Sequence, residues 1–266
     1  MARRGAVANS KGGVGKTTTC DSICTMAGEA GIPTLFVDLD SQCNGTEHHL
    51  GVKDVSLLDR DSKTVYDVVC HPRETDLSKA LMKSRFENVW VMPGDPRLVN
   101  LQSIIGGKLG FEKILDTQLQ RVEENFGLVI IDTGPAVSIA TTLALRAATD
   151  VLYIPSDNSQ DSINGIRKIL DVVGDLEDTG HHIKDIKIIL TAQHKGGAKS
   201  NIKSKEKIRE LFGDKFLDLS FPHSIKVNDA QWDDNGFVPP MTYVPKDHKL
   251  YLGYKELTEI ALGAKL

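Results

Sequence analysis

The chain has 266 residues, with 32 Lys and Arg against 36 Asp and Glu, a net charge of −4 and 40% hydrophobic residues. That length is enough to bury a substantial core, and a charged fraction of 26% excludes a disordered tail protein. The negative balance excludes a uniformly basic nucleic-acid coat but leaves room for a local basic face.

Taken in chain order, short apolar runs predict strands at 6–8, 34–38, 89–92, 128–132, 151–155 and 186–191, with a weaker one at 216–219. Stretches of helical period predict helices at 17–30, 111–125, 139–147, 162–176, 204–212 and 251–262. Between 45 and 86, polar and apolar residues alternate without a clear period, and no element is assigned. Strands alternating with helices predict an α/β fold, a mostly parallel twisted sheet with helices on both faces. No repeat and no Pro- or Ser-rich linker breaks the pattern, so residues 1–266 read as a single domain.

No run approaches the roughly 18 apolar residues of a membrane-spanning helix, and Met1-Ala2-Arg3-Arg4-Gly5 leads into no signal-like stretch. Cys20, Cys24, Cys43 and Cys70 form no Cys-x-x-Cys pair. A cytoplasmic, reduced protein is expected. Cys20 and Cys24 lie four apart on a predicted helix and are read as small core residues. The eight His show no metal-binding spacing.

The strongest local signal is Asn9-Ser10-Lys11-Gly12-Gly13-Val14-Gly15-Lys16-Thr17-Thr18, which follows the first predicted strand and opens the first helix. It matches G-x-x-x-x-G-K-[ST] with Ser10 in place of the first Gly. Gly12, Gly13 and Gly15 let successive backbone N–H groups converge on phosphate oxygens without Cβ obstruction. The helix that follows adds its partially positive N-terminus. Lys16 is placed for the β and γ phosphates of a nucleotide, and the Thr17 hydroxyl for Mg2+.

The segment from Lys11 to Thr18, Val14 included, resembles the signature of the deviant Walker-A ATPases, the ParA/MinD group of P-loop NTPases. That resemblance implies ATP and Mg2+ as ligands. It also implies a homodimer in the ATP state, in which Lys11 reaches the partner's nucleotide in the manner of an arginine finger.

In Val37-Asp38-Leu39-Asp40-Ser41-Gln42, strand alternation puts Asp38 and Asp40 on one side. The segment is similar to the family's first switch, with Ser41 where Pro is usual. By that resemblance Asp40 orients or activates the attacking water and Asp38 lies near the Mg2+ shell.

Leu128-Val129-Ile130-Ile131-Asp132-Thr133-Gly134-Pro135 has the form of a buried parallel strand that delivers one carboxylate to the C-terminal edge of the sheet. Asp132 is the candidate to hold Mg2+ through its water shell. Gly134 stands where the family usually has Pro. The segment beginning Phe221-Pro222-His223 resembles the family's late loop bordering the adenine, which places Pro222 among the expected nucleotide contacts.

Charge separates the branches of this family. Lys195, Lys199, Lys203, Lys205, Lys207 and Arg209 stand against Glu206 alone within 195–209, a footprint for DNA phosphates. In the last helix Glu256 and Glu259 offset Lys255, so it is expected to dock on the core rather than on anionic lipid. No Cys follows Cys70 to bridge an iron–sulfur cluster.

The resemblance thus implies an ATPase that binds nonspecific double-stranded DNA and partitions or positions a cargo. Its hydrolysis would be stimulated by a ParB-like or adaptor protein, at the nucleoid and without a membrane. Two alternatives stay open: a MinD-like positioning factor on a membrane or protein surface, and a carrier or assembly ATPase that binds no DNA.

Overall fold

The computed structural model describes residues 1–52, 55, 58–59, 61–157, 159–193, 198–222 and 244–266, with the backbone alone at 192–193, 198–201, 220 and 222. Among these residues the strands are β1 (Arg3–Val7), β2 (Thr34–Leu39), β3 (Met82–Lys83), β4 (Val89–Met92), β5 (Leu128–Thr133), β6 (Val151–Ser156), β7 (Asp185–Gln193) and β8 (Phe216–Pro222). The helices are α1 (Lys16–Glu29), α2 (Asn44–Leu50), α3 (Val65–Cys70), α4 (Leu101–Ile105), α5 (Ile114–Gln120), α6 (Ile139–Ala147), α7 (Gln160–Asp178), α8 (Ala198–Phe212) and α9 (Lys249–Leu262).

The strands form one sheet in the order β3-β4-β2-β5-β1-β6-β7-β8, parallel throughout except for the short β3–β4 pair. Every residue of β2, β5 and β6 is buried, as expected of parallel strands covered on both faces. Alternation divides the core into two layers. Val129 and Ile131 of β5 pack with α3 to α8, whereas Leu128 and Ile130 pack with α1 and α9. The C-terminal helix α9 docks through Leu250, Tyr254, Leu257 and Ala261, all buried. No helix among the described residues is long and apolar enough to cross a membrane.

The strand at 89–92 and the helix at 139–147 form over the expected residues; the helix expected at 204–212 begins earlier, at Ala198, and three further expectations change. β1 starts at Arg3 because its arginines are neutralised internally. Arg4, 6% exposed, pairs with Asp116 at 2.7 Å and Glu123 at 3.6 Å, and Arg3 donates to the Ala261 carbonyl at 2.6 Å. The single helix expected over 111–125 is instead a 3-10 turn at Phe111–Lys113, the short α5, and another 3-10 turn at Glu123–Asn125. There the chain must fold back within a few residues to enter β5. The unassigned stretch 45–86 holds α2 and α3, each too short to display a 3.6-residue period, together with β3.

Close packing of α1 on the start of β4 depends on Gly28. A Cβ there would lie 2.2 Å from the Glu87 carbonyl oxygen and 2.8 Å from Val89 Cγ2. Ala gains up to about 1 kcal/mol of helix propensity over Gly, but overpacking against backbone costs about 1–3 kcal/mol or more. Gly28→Ala is therefore expected to destabilise the protein, read as a lower urea midpoint with an unchanged slope.

Candidate functional site

Parallel strands deliver their C-terminal ends to one edge of the sheet, and ligand sites of such sheets lie where the strand order reverses. Here β1 is flanked by β5 and β6, and the glycine loop leaves β1 at that crevice. Gly13 and Gly15 adopt φ +74° and +84°, left-handed conformations that a side chain would strain, and Gly15 caps α1. Neighbouring strands pin the loop. Asn9 donates to the Pro155 carbonyl at 2.7 Å and accepts from the Lys11 N–H at 3.0 Å, and Thr191 donates to the Val14 carbonyl at 2.8 Å. Gly165 of α7 leaves the space that Asn9 occupies, since a Cβ there would stand 2.1 Å from Asn9 Oδ1.

Lys16 opens α1 and is 7% exposed. Its Nζ curls back to donate to the Lys11 carbonyl at 3.0 Å. Burial lowers the ammonium from its ordinary value, against the raising pull of Asp132 and Asp40.

Asp38 and Asp132 are register partners on β2 and β5, so their carboxylates emerge side by side. Their surroundings differ. Asp38 accepts from the Asp40 N–H at 3.0 Å, the Thr46 N–H at 2.8 Å and the Thr46 hydroxyl at 2.7 Å. Burial nevertheless pushes it up to about 6. Gly94 backs it closely, with space for no Cβ, and donates to the Thr46 hydroxyl oxygen at 2.7 Å.

Asp132 is fully buried, and among the described residues neither of its oxygens has a hydrogen-bond partner. Burial first, and then the Asp38 charge, push its carboxyl well above the usual range, while the nearby Thr17 hydroxyl works the other way. A buried carboxylate with both oxygens open is costly unless something completes it. Beside a Thr hydroxyl, its donor set fits a hard divalent cation.

Asp40 is buried at the start of the loop after β2 and accepts from the Gln42 N–H at 3.0 Å. With Ser41, Gly134 and Pro135 it lines one end of a cavity of about 320 Å³ whose other walls include Leu98 and Leu101.

Lys11 does not reach out into solvent. Its ammonium donates to Asp157 Oδ2 and, at 2.8 Å, to Ser159 Oγ, the N-cap of α7. Burial works to raise the Asp157 carboxyl, but Lys11 and the Ser159 hydrogen bonds hold it below its ordinary value.

The structure therefore brings together Lys11, Lys16, Thr17, Asp38, Asp40 and Asp132 around the loop that carries Gly12, Gly13, Val14, Gly15 and Thr18. Thr46, Gly94, Asp157 and Ser159 join them without any signal in the local sequence.

The basic segment is changed by its surroundings. Lys205 and Arg209 both pair with Asp218 of β8, at 2.7 and 2.6 Å, so the local excess of positive charge is smaller than the segment alone implies. Lys207 donates to Gln160 at 3.0 Å, and Lys203 is exposed. Lys195 and the side chain of Lys199 lie outside the described residues, as do the Pro222 side chain and 223–227.

The chain matches the family model described as AAA domain over residues 2–198. It belongs to that family, as a ParA-like P-loop ATPase of the partitioning and positioning group. It is 27% identical over 228 residues to the chromosome partitioning protein ParA of Caulobacter vibrioides (strain NA1000 / CB15N), covering 85% of this chain and 82% of that protein. An ATP complex of McdA from Cyanothece has the same fold, with TM-score 0.85 at 22% identity over 100% of this chain and 98% of that one. So does cobyrinic acid a,c-diamide synthase of Mycobacterium smegmatis with bound ADP and magnesium, with TM-score 0.79 at 24% identity over 97% and 93%.

If Asp132 is held unsatisfied for a ligand, neutralising it trades binding for stability. Asp132→Asn is expected to raise the stability of the ligand-free protein by about 1–3 kcal/mol. The same change should weaken the magnesium-dependent part of nucleotide affinity by at least about tenfold. Denaturant melts and fluorescent-nucleotide titrations with and without Mg2+ check the two halves.

Proposed function

We propose that the protein is an ATP-driven switch. ATP and Mg2+ bind at the glycine loop, two copies close on each other, and the closed dimer holds nonspecific DNA until a stimulating partner triggers hydrolysis. The carrying observation is Asp132, fully buried with both oxygens open beside the loop that holds Lys16. The nucleotides and magnesium bound to proteins of the same fold support this reading.

In this reading Thr17 and Asp132 hold Mg2+, and Asp38 keeps Thr46 and the Asp40 backbone in place. Bound Mg2+ supplies charge neutralisation at the phosphate oxygens. Lys16 exchanges the Lys11 carbonyl for the β and γ phosphates. Asp40 accepts a hydrogen bond from the attacking water and orients it. Lys11 leaves Asp157 and Ser159 to meet the nucleotide of the second copy. Pro222 borders the adenine. A ParB-like or adaptor protein supplies the stimulus, and the protein works at the nucleoid.

Lys16→Ala is expected to lose nucleotide binding by at least about 100-fold, since a close charge pair in a partly buried site is worth roughly 4 kcal/mol before desolvation. Lys11→Ala should bind ATP and stay monomeric, and Asp40→Ala should bind ATP and accumulate as dimer. Size exclusion with ADP and with ATP separates the three. Monomer only in Asp40→Ala with ATP counts against the mechanism.

DNA is assigned to Lys195, Lys199, Lys203, Lys205, Lys207 and Arg209. About four neutralised phosphates give a log–log salt slope near −3.6, a fall of roughly 150-fold between 50 and 200 mM salt. Removing Lys203 and Lys207 together should flatten the slope by about 2 and leave the ATP-dependent dimer intact. An unchanged slope removes the basic-face assignment. The second reading is a positioning or carrier ATPase that binds no DNA; the pairing of Lys205 and Arg209 with Asp218 lowers the positive charge this segment offers to DNA without removing it. DNA retention and liposome co-sedimentation with ATP decide between them.

A further inference from the structure

Both places where this chain departs from the usual switch patterns, Ser41 and Gly134, line the same cavity as Asp40. Gly134 follows β5 by one residue and faces the Asp40 carboxylate. A Cβ at 134 would stand 3.1 Å from Asp40 Oδ1, 3.4 Å from its Cγ and 3.8 Å from its Cα. The same Oδ1 accepts the Gln42 N–H at 3.0 Å, so the carboxylate is enclosed between the Gln42 amide and the bare backbone at 134. Asp40 is tied elsewhere by its own backbone, whose N–H goes to Asp38 Oδ1 and whose carbonyl accepts from the Cys43 N–H at 3.0 Å.

With the main chain so fixed, a side chain at 134 leaves Asp40 to give way by rotation of its carboxylate.

We infer that Gly134 is a positioning residue for Asp40: its missing side chain lets the carboxylate settle against the loop after β5, which couples the two acidic segments of the site. This inference rests on the role given to Asp40 above. A displacement of a few tenths of an ångström leaves the phosphate loop, Lys16 and Asp132 where they are. It moves the group that aims the water. The loss therefore belongs in turnover and not in nucleotide affinity.

The test compares wild type, Gly134→Ala, Asp40→Ala and the double variant. Steady-state ATP hydrolysis with Mg2+ should show Gly134→Ala lowered roughly 3–10-fold in kcat, as misplacement by a fraction of an ångström implies, with KM within about twofold. Added to Asp40→Ala, it should have no further effect.

A second readout needs no nucleotide. Amide exchange at Gln42 should quicken in Gly134→Ala, as its bond to Asp40 is disturbed, while exchange at Thr46, bonded to Asp38, stays as in wild type. Quickened Gln42 exchange together with a selective fall in kcat supports the inference. Unchanged Gln42 exchange overturns it, as does an Ala effect that adds in full to that of Asp40→Ala. Loss of turnover in Asp40→Ala beside wild-type kcat in Gly134→Ala overturns this inference alone. Wild-type kcat in Asp40→Ala overturns the role of Asp40 and this inference with it.

Discussion

The site is organised around carboxylates buried side by side at one edge of the sheet. Asp38 and Asp132 are register neighbours on adjacent parallel strands, and strands pack about 4.8 Å apart. Two charges about 5 Å apart at an effective dielectric near 20 repel by about 3 kcal/mol, before the cost of burying them. Both carboxyls hold protons more tightly than free aspartates do, through burial first: Asp38 rises to about 6, and Asp132, which also feels the Asp38 charge, well above its ordinary value. The fold thus carries, at the end of its central strands, a cluster that is unfavourable as it stands and that a cation would relieve.

The two carboxylates share that strain unequally. Asp38 is given three donors, two of them from Thr46, and Thr46 is in turn bonded by the Gly94 amide after β4. That network ties α2 and the end of β4 to the carboxylate and leaves its oxygens occupied. Asp132 accepts no hydrogen bond of good geometry from the described residues, although the Thr17 hydroxyl lies nearby. Saturating one member of a like-charged pair while leaving the other open would direct any cation toward the open one. The buried ammonium of Lys16 offsets part of the negative charge and donates back to the Lys11 carbonyl, a contact easily exchanged for a phosphate oxygen.

How much of this is legible along the chain follows from where the chemistry sits. The glycine loop is contiguous and carries its own stereochemical requirements, so loop, Lys16 and Thr17 are readable without a fold. So are the apolar runs that end in Asp38 and Asp132, because buried parallel strands leave a plain hydrophobic signature. The partners are not readable. Lys11 meets Asp157 across 146 residues, a meeting that depends on β6 lying next to β1. Thr46 reaches Asp38 only because a seven-residue helix turns back over the strand end, and such a helix is too short to announce itself by period. Arg3 and Arg4 hide the start of β1 for the same reason, their neutralising partners being distant in sequence.

The basic segment illustrates the same limit in charge. Counted along the chain, 195–209 holds six cations and one anion, but Asp218, nine residues beyond Arg209, folds beside it on β8 and binds two of those cations at once. The effect on a polyanion is smaller than that pairing implies. Lys205, Arg209 and Asp218 together still carry a charge of +1. The Arg209 and Asp218 side chains are 56% and 48% exposed, and exposed pairs of this kind contribute only about 0–1 kcal/mol. A phosphate backbone that releases counterions along several contacts competes on better terms than that. Were a polyanion to bind here, Asp218 would weaken its hold without cancelling it, and most at low salt, where surface charges are least screened.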